Sequence, residues 1–275
     1  MAVDMEEVGV IGMGDSIVLD PQQAVSYRKM FMGCNVDCVT REATRRWIVQ
    51  RIQTSSEPVL HSVINAGKVV MCHSNWNLAH AVNSADIVNA DGQGVVWLGR
   101  LAGIPIPERV TGIDLMADML QEADRHGWRV YLWGGTAEVV ENAIRRISET
   151  YPNVGGIDGR HGYFDMNQEE EICHEISLWR PDIVFLGMSS PRKEVLAYER
   201  KAALGAKLIM GVGGAFDIWS GKTRRAPVIW QRLGAEWLYR LLQEPLRLSR
   251  RYLWGNIKFL YLWLLWIQSR YGIEK

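Results

Sequence analysis

From about Phe31 to Ile229, short apolar runs alternate with stretches whose apolar residues recur every three or four positions. That rhythm predicts an α/β fold, a Rossmann-like parallel sheet covered by helices. Strands are predicted at Val59 to Ile64, Ile87 to Asn89, Arg129 to Trp133, Ile183 to Leu186 and Lys207 to Val212. Between them, helical spacing runs over Gly112 to His126, Glu138 to Tyr151, Glu169 to Trp179 and Arg192 to Leu204, with Gly127 and Gly205 as stops. Small residues follow three of the strands, at Trp133-Gly134-Gly135-Thr136, Gly187-Met188-Ser189-Ser190-Pro191 and Gly211-Val212-Gly213-Gly214. Open parallel sheets bind their ligands at such strand ends.

The rhythm divides the chain. Residues 1–30 read as an extension, 31–230 as the α/β core, and 231–275 as a helical appendage rich in Trp, Tyr and Arg. Within the appendage, Lys258 to Ile267 is apolar but too short to span a bilayer, and its aromatic and basic neighbours suit a headgroup boundary. A membrane-surface helix is expected there; the competing account is a core or oligomer-interface helix, which leaves a homo-oligomer open.

Composition narrows the partners. The 275 residues are 48% apolar, enough for one sizeable core, and 31 Lys and Arg balance 31 Asp and Glu. No global field attracts nucleic acid, so none is expected as a partner, and a charged ligand must be met by a local patch. Cys34, Cys38, Cys72 and Cys173 lack the spacing of a zinc site or a disulfide framework. Cys34 and Cys38 would share a face if helical. With an acidic start that does not read as an export signal, the cysteines point to a reducing cytoplasm, with no metal site.

One motif fails. Val8 to Asp15 resembles the glycine turn of a dinucleotide-binding unit, but Ile17 stands where the third glycine belongs and Pro21 interrupts the helix. No nicotinamide or other cofactor is expected.

Other residues carry more chemistry. Asp91, in Asn89-Ala90-Asp91-Gly92, places one carboxylate at a strand end, where a general base belongs; an Asp-Gly turn explains it as well. Arg109-Val110-Thr111-Gly112 resembles a helix start at which Thr111 caps or free N–H groups face a phosphate. Gly134, Gly135, Gly213 and Gly214 suit either turns or close backbone approach to a diphosphate. Arg240, Arg247 and Arg250 would fall within about 80° of one another on an ideal helix, although Pro245 divides it. Converging, they would clamp a diphosphate; otherwise they form a solvated face.

Taken in order, Asn65, Asn89 to Gly92, Arg109 to Gly112, Trp133 to Gly135, Tyr151-Pro152, Gly162 to Phe164, Arg180 to Asp182, Gly213 to Asp217, Gly221, Arg225 to Pro227, Glu236 to Arg240 and Glu244 to Arg247 resemble the WecG/TagA/CpsF glycosyltransferase family. The resemblance implies an inverting, metal-independent transferase on a Rossmann-like core. It would take a UDP-sugar donor, an N-acetylmannosamine, uronic acid or related hexose. Its acceptor would be a polyprenyl-diphosphate-linked sugar at the cytoplasmic face of the bacterial inner membrane, in cell-surface polysaccharide synthesis.

Carried over, Asp91 matches the base, Asn65 a pocket residue beside it, and Arg240, Arg247 and Arg250 the arginines of a membrane-targeting appendage. Gly112, Asp217 and Lys193 are further expected substrate contacts. Two departures stand out. Val63 replaces a threonine, whose hydroxyl only Ser62 is placed to supply, and Lys193 replaces the amide of Pro-Lys-Gln-Glu, to meet a uronic-acid donor or to pair with Glu194. A non-catalytic nucleotide-sugar-binding or scaffold protein is the alternative.

Overall fold

The computed structural model describes residues 27–232, 234–243 and 245–272, with side chains at all of these except 232, 240, 246–253 and 271. Gly12 and Gly14 lie outside the described residues.

The described residues open with an antiparallel hairpin, β1 (Arg28–Phe31) and β2 (Cys34–Asp37), which begins before the point where the core is expected from sequence. Buried Asp37 ties it down: Arg28 grips the carboxylate at 2.8 Å through two nitrogens, and the Val88 N–H donates to it at 2.6 Å. Cys34 and Cys38 are therefore not on a helix. Cys34 sits on β2 with its thiol against Cys72, and that pairing together with burial pushes the Cys34 thiol up.

Six parallel strands follow: β3 (Val59–Ile64), β4 (Ile87–Ala90), β5 (Arg129–Gly134), β6 (Gly156–Arg160), β7 (Ile183–Gly187) and β8 (Leu208–Gly211). Their order is β4-β3-β8-β7-β5-β6. Side chains alternate between two buried layers, as strand geometry requires. Leu60, Val88, Trp133, Leu186 and Ile209 face one layer. Val59, Ile87, Leu132, Phe185 and Met210 face the other.

Helices α1 (Arg41–Thr54), α5 (Gly112–His126) and α6 (Ala137–Thr150), with the short α9 (Ala215–Trp219), cover the second face. The first is covered by α2 (Ala66–Cys72), α3 (Trp76–Asn83), α4 (Gln93–Leu101), α7 (Glu169–Trp179) and α8 (Arg192–Glu199). The last of these is shorter than its sequence pattern suggests.

Beyond α10 (Val228–Arg232), the appendage forms α11 (Glu236–Gln243) and α12 (Pro245–Tyr271). Pro245 does divide them, at the first position of a helix, where its missing N–H costs nothing. Helix α12 packs Phe259 against Phe31 (ring centroids 6.2 Å apart) and Trp266 against the same ring at 5.5 Å. The Trp263 indole N–H donates to the Leu98 carbonyl at 3.2 Å. Among the described residues no helix is long and apolar enough to cross a membrane.

Candidate functional site

All six strands of a parallel sheet end on one edge, so their following residues meet there. Asn65 follows β3 and Asp91 follows β4, and the Asp91 N–H donates to the Ile64 carbonyl at 2.9 Å. Asn65 caps α2, its Oδ1 accepting from the Lys68 N–H at 3.0 Å. The two residues are packed through Gly92, since a β-carbon there would lie 3.1 Å from the Asn65 β-carbon. The segment Arg109 to Gly112 is drawn to the same place. The Val110 N–H donates to the Ala90 carbonyl at 2.8 Å, and Thr111 caps α5 while its hydroxyl donates to Asp114 at 2.6 Å.

The appendage closes onto this edge. A β-carbon at Gly234 would fall 2.4 Å from Cγ of Gln93, two residues after Asp91, so only glycine permits the approach. Glu236, the first residue of α11, is buried and reaches Arg109 at 3.1 Å and Arg225 at 3.9 Å. Arg225 also meets Asp114 at 2.6 Å. Burial alone would raise the Asp114 carboxyl, but the Thr111 hydroxyl and the Arg225 guanidinium hold it below its usual range. Four charges thus link α5, the segment before α10, α11 and the Arg109 loop. Gln93 does not stand out by local sequence, and Glu236 does so only as part of the motif Glu236 to Arg240; its pairing with Arg109 joins residues 127 positions apart.

The other expected contacts divide. Gly134 ends β5 opposite Gly187 of β7, where the connections diverge, β5 to the outer β6 and β7 back to β8. A β-carbon on it would sit 2.4 Å from the Gly187 backbone, so strand contact already requires the glycine. Gly135 is left-handed (φ 65°) and accepts from the Gly162 N–H. Gly213, also left-handed at φ 54°, faces open space, and Gly214 precedes α9 as its cap. Gly112 lies at ordinary contact distance from the end of β8. Asp217 pairs with Lys222 at 3.6 Å. Arg240 lies on α11, and Arg247 and Arg250 on the first turns of α12, but their side chains fall outside the described residues.

Lys193 is buried and pairs with Glu194, the second of the two outcomes expected for it. Its ammonium and that of Lys68 both lie 2.7 Å from one Glu194 oxygen, which also accepts from Ser190 at 2.8 Å. Burial would raise Glu194, and the two lysines instead hold it down at about 2. Ser62 does not supply the hydroxyl missing at Val63, because neighbouring strand residues point to opposite faces.

Val63 pairs in register with Asn89, in a polar thread beneath the site. His61 Nε2 meets Asn89 Oδ1 at 3.0 Å, the Asn89 amide donates to the Thr44 hydroxyl at 3.0 Å, and that hydroxyl donates to the Thr40 carbonyl at 2.9 Å. Full burial lowers His61 to about 4, so it is neutral near pH 7.

The model of the "Glycosyl transferase WecG/TagA/CpsF family" matches residues 29–272. Enzymes named N-acetylglucosaminyldiphosphoundecaprenol N-acetyl-beta-D-mannosaminyltransferase, from Staphylococcus aureus strains MW2 and MRSA252, are each 36% identical over 190 residues, covering 68% of this chain and 74% of the relative. The match over residues 29–272, with the 36% identity to these relatives, places the chain in the WecG/TagA/CpsF family, as a glycosyltransferase.

Proposed function

We propose that the protein transfers an N-acetylmannosamine-type hexose from its UDP conjugate to a sugar carried on a polyprenyl diphosphate, with inversion and without a metal ion. In this reading Asp91 takes the proton of the acceptor hydroxyl as its oxygen bonds to the anomeric carbon. The bond from that carbon to the UDP oxygen breaks, and its electron pair leaves with UDP. One displacement inverts the centre. Arg240, Arg247 and Arg250 stabilise the charge on the leaving diphosphate, and Asn65 lines the pocket beside Asp91.

The observation that carries the reading is the approach of the appendage to the strand end that bears Asp91, through Gly234 on Gln93 and Glu236 on Arg109. The names of the relatives favour UDP-N-acetylmannosamine as donor and N-acetylglucosaminyl diphosphoundecaprenol as acceptor. Pairing with Glu194 occupies Lys193 and weakens the case for a uronic-acid donor. Since α12 exposes an apolar face including Trp254, Ile257 and Tyr261, the enzyme works at the cytoplasmic membrane surface where the acceptor resides.

A donor panel with lipid-linked acceptor, run with and without a chelator, tests the reading. Transfer from UDP-N-acetylmannosamine is expected in both conditions, and Asp91→Asn should lower kcat about a thousandfold while UDP still binds. UDP binding with no transfer from any donor would instead support a non-catalytic protein. Near-normal turnover by Asp91→Asn would remove the base from Asp91.

A further inference from the structure

We infer that a furrow between α4 and α12 carries the first isoprene units of the acceptor's polyprenyl chain. The inference rests on the acceptor proposed above and adds where its lipid lies. Helix α4 begins at Gln93, two residues after Asp91. Three contacts, in the same order along both helices, set α12 beside it. A β-carbon at Gly94 would lie 3.6 Å from the Phe259 ring, the Trp263 indole N–H donates to the Leu98 carbonyl, and Gly103 and Ile104, just past α4, line one cleft with Trp266 and Arg270. The two helices therefore run side by side and in one direction, leading away from the strand end that bears Asp91.

Each helix turns one flank of this contact line to the core and the other outward. On α4, Val95 and Gly99 are buried on one flank, while Trp97 and Leu101, four residues apart, are exposed on the other. On α12, Leu262 and Trp266 pack on the core, while Leu260 and Leu264 are exposed across the helix from them. Because both inner flanks meet the same core cluster, both outer flanks open on the same side. Leu98 and Trp263, partly buried, form the floor between them, and two apolar side chains from each helix form the walls.

Position selects the occupant. Trp97 stands about 6 Å and Leu101 about 12 Å along α4 from Gln93. In the acceptor, a sugar ring and a diphosphate separate the reacting hydroxyl from the first isoprene unit, so a hydroxyl at Asp91 brings that unit to the furrow and not into the site. Helices in contact lie about 8–10 Å apart, so the furrow takes a single chain and not the broad surface of a bilayer. At its Leu264 wall it joins the outer stripe of α12, along which the remaining units pass to the membrane proposed to meet that stripe.

The full-length protein, UDP-N-acetylmannosamine and N-acetylglucosaminyl diphosphates bearing one to four isoprene units, kept in solution without vesicles, test it. The acceptor KM should fall about tenfold or more from one unit to three, with kcat little changed, because each added unit buries apolar surface. Trp97→Ser and Leu101→Ser should each raise KM about fivefold for the three-unit acceptor and less than about twofold for the one-unit acceptor. Trp97→Phe, which keeps the apolar wall, should restore the dependence on chain length. A KM that ignores chain length, or a rise equal for every acceptor, would overturn the furrow. Serine variants that lose vesicle binding but keep the chain-length dependence would give the face to the bilayer instead, and variants that change the sedimentation of the protein would give it to a second copy of the chain. No transfer to any acceptor would sink the proposed reaction itself, whereas transfer that ignores chain length sinks only the furrow.

Discussion

The central sheet and helix α12 are both rich in large apolar residues, and the fold uses them differently. In the sheet, alternate residues of each strand enter two closed layers, so β3 and β7 bury nearly every side chain. In α12, Phe259 is buried and Leu262, Trp263 and Trp266 are partly so, while Trp254, Ile257, Tyr261 and Leu264 recur along the outer side. The core takes up one stripe of the helix and leaves the other. Apolar residues in the sheet therefore report on folding, and those outside α12 report on something the chain meets.

The sharpest way to break that contrast is at the docked stripe. Phe259→Ala should cost about 3 kcal/mol or more, because a ring packed on Phe31 and within contact range of Gly94 leaves a cavity. Urea unfolding measures it. A loss well under 1 kcal/mol would mean that α12 is only loosely attached and that both its faces belong to the surface.

The buried thread in the sheet has a pH signature of comparable size. His61 titrates at about 4 when folded and near 6.5 when unfolded, so between these values the unfolded chain binds the extra proton. Stability should hold above pH 6.5 and fall as the pH drops towards 4, by on the order of 3 kcal/mol from this group. His61→Gln, which keeps an amide donor near Asn89, should flatten that part of the profile. The difference between the two unfolding curves isolates His61 from Glu194, whose depressed carboxyl stabilises the fold above about 4.5 and ceases to do so as the pH falls towards 2. Parallel curves would mean that water reaches the imidazole.

Much of this was legible before the structure. The runs VLHSVI, RVYLWG and IVFLG announce buried parallel strands by β-branched and large apolar content, and the Thr111 and Gly127 caps bound α5 correctly. Strand β6, GIDGR, was not legible, because an edge strand needs no apolar run, and its glycines exist to clear neighbours such as the Leu132 carbonyl. The β1–β2 hairpin is equally hidden: RKMF exposes two of four residues, and its anchor is Asp37 reaching into the sheet. In the site, Asp91 and Asn65 show themselves at strand ends. Lys193 shows itself as a departure, but Lys68, which shares the same Glu194 oxygen, lies 125 positions away, and distance in sequence also hides Glu236 from Arg109.

That last pair tests where the sheet and the appendage join. Glu236→Gln keeps the shape but removes the charge between two guanidiniums, and should cost roughly tenfold in kcat/KM, about 1.4 kcal/mol. Its thermal midpoint should move little compared with that of Phe259→Ala. If positioning of the appendage is what Glu236 supplies, kcat falls while UDP affinity holds; an equal loss of UDP affinity would place Arg109 on the nucleotide instead.

The smallest expected effect is the most telling for α12. Leu264→Ser alters an exposed side chain, so folding stability should change by less than about 0.5 kcal/mol. Removing its apolar surface should nonetheless weaken vesicle binding about tenfold or more, since burial of a leucine side chain contributes about 1.5–3 kcal/mol. Turnover on a water-soluble acceptor should stay unchanged while turnover on the polyprenyl-linked acceptor falls. A variant that loses stability in step with binding would show that the outer stripe is covered by protein, most simply a second copy of this chain. Sedimentation at two concentrations then separates that outcome from a bilayer, because dimer dissociation depends on protein concentration and membrane release does not.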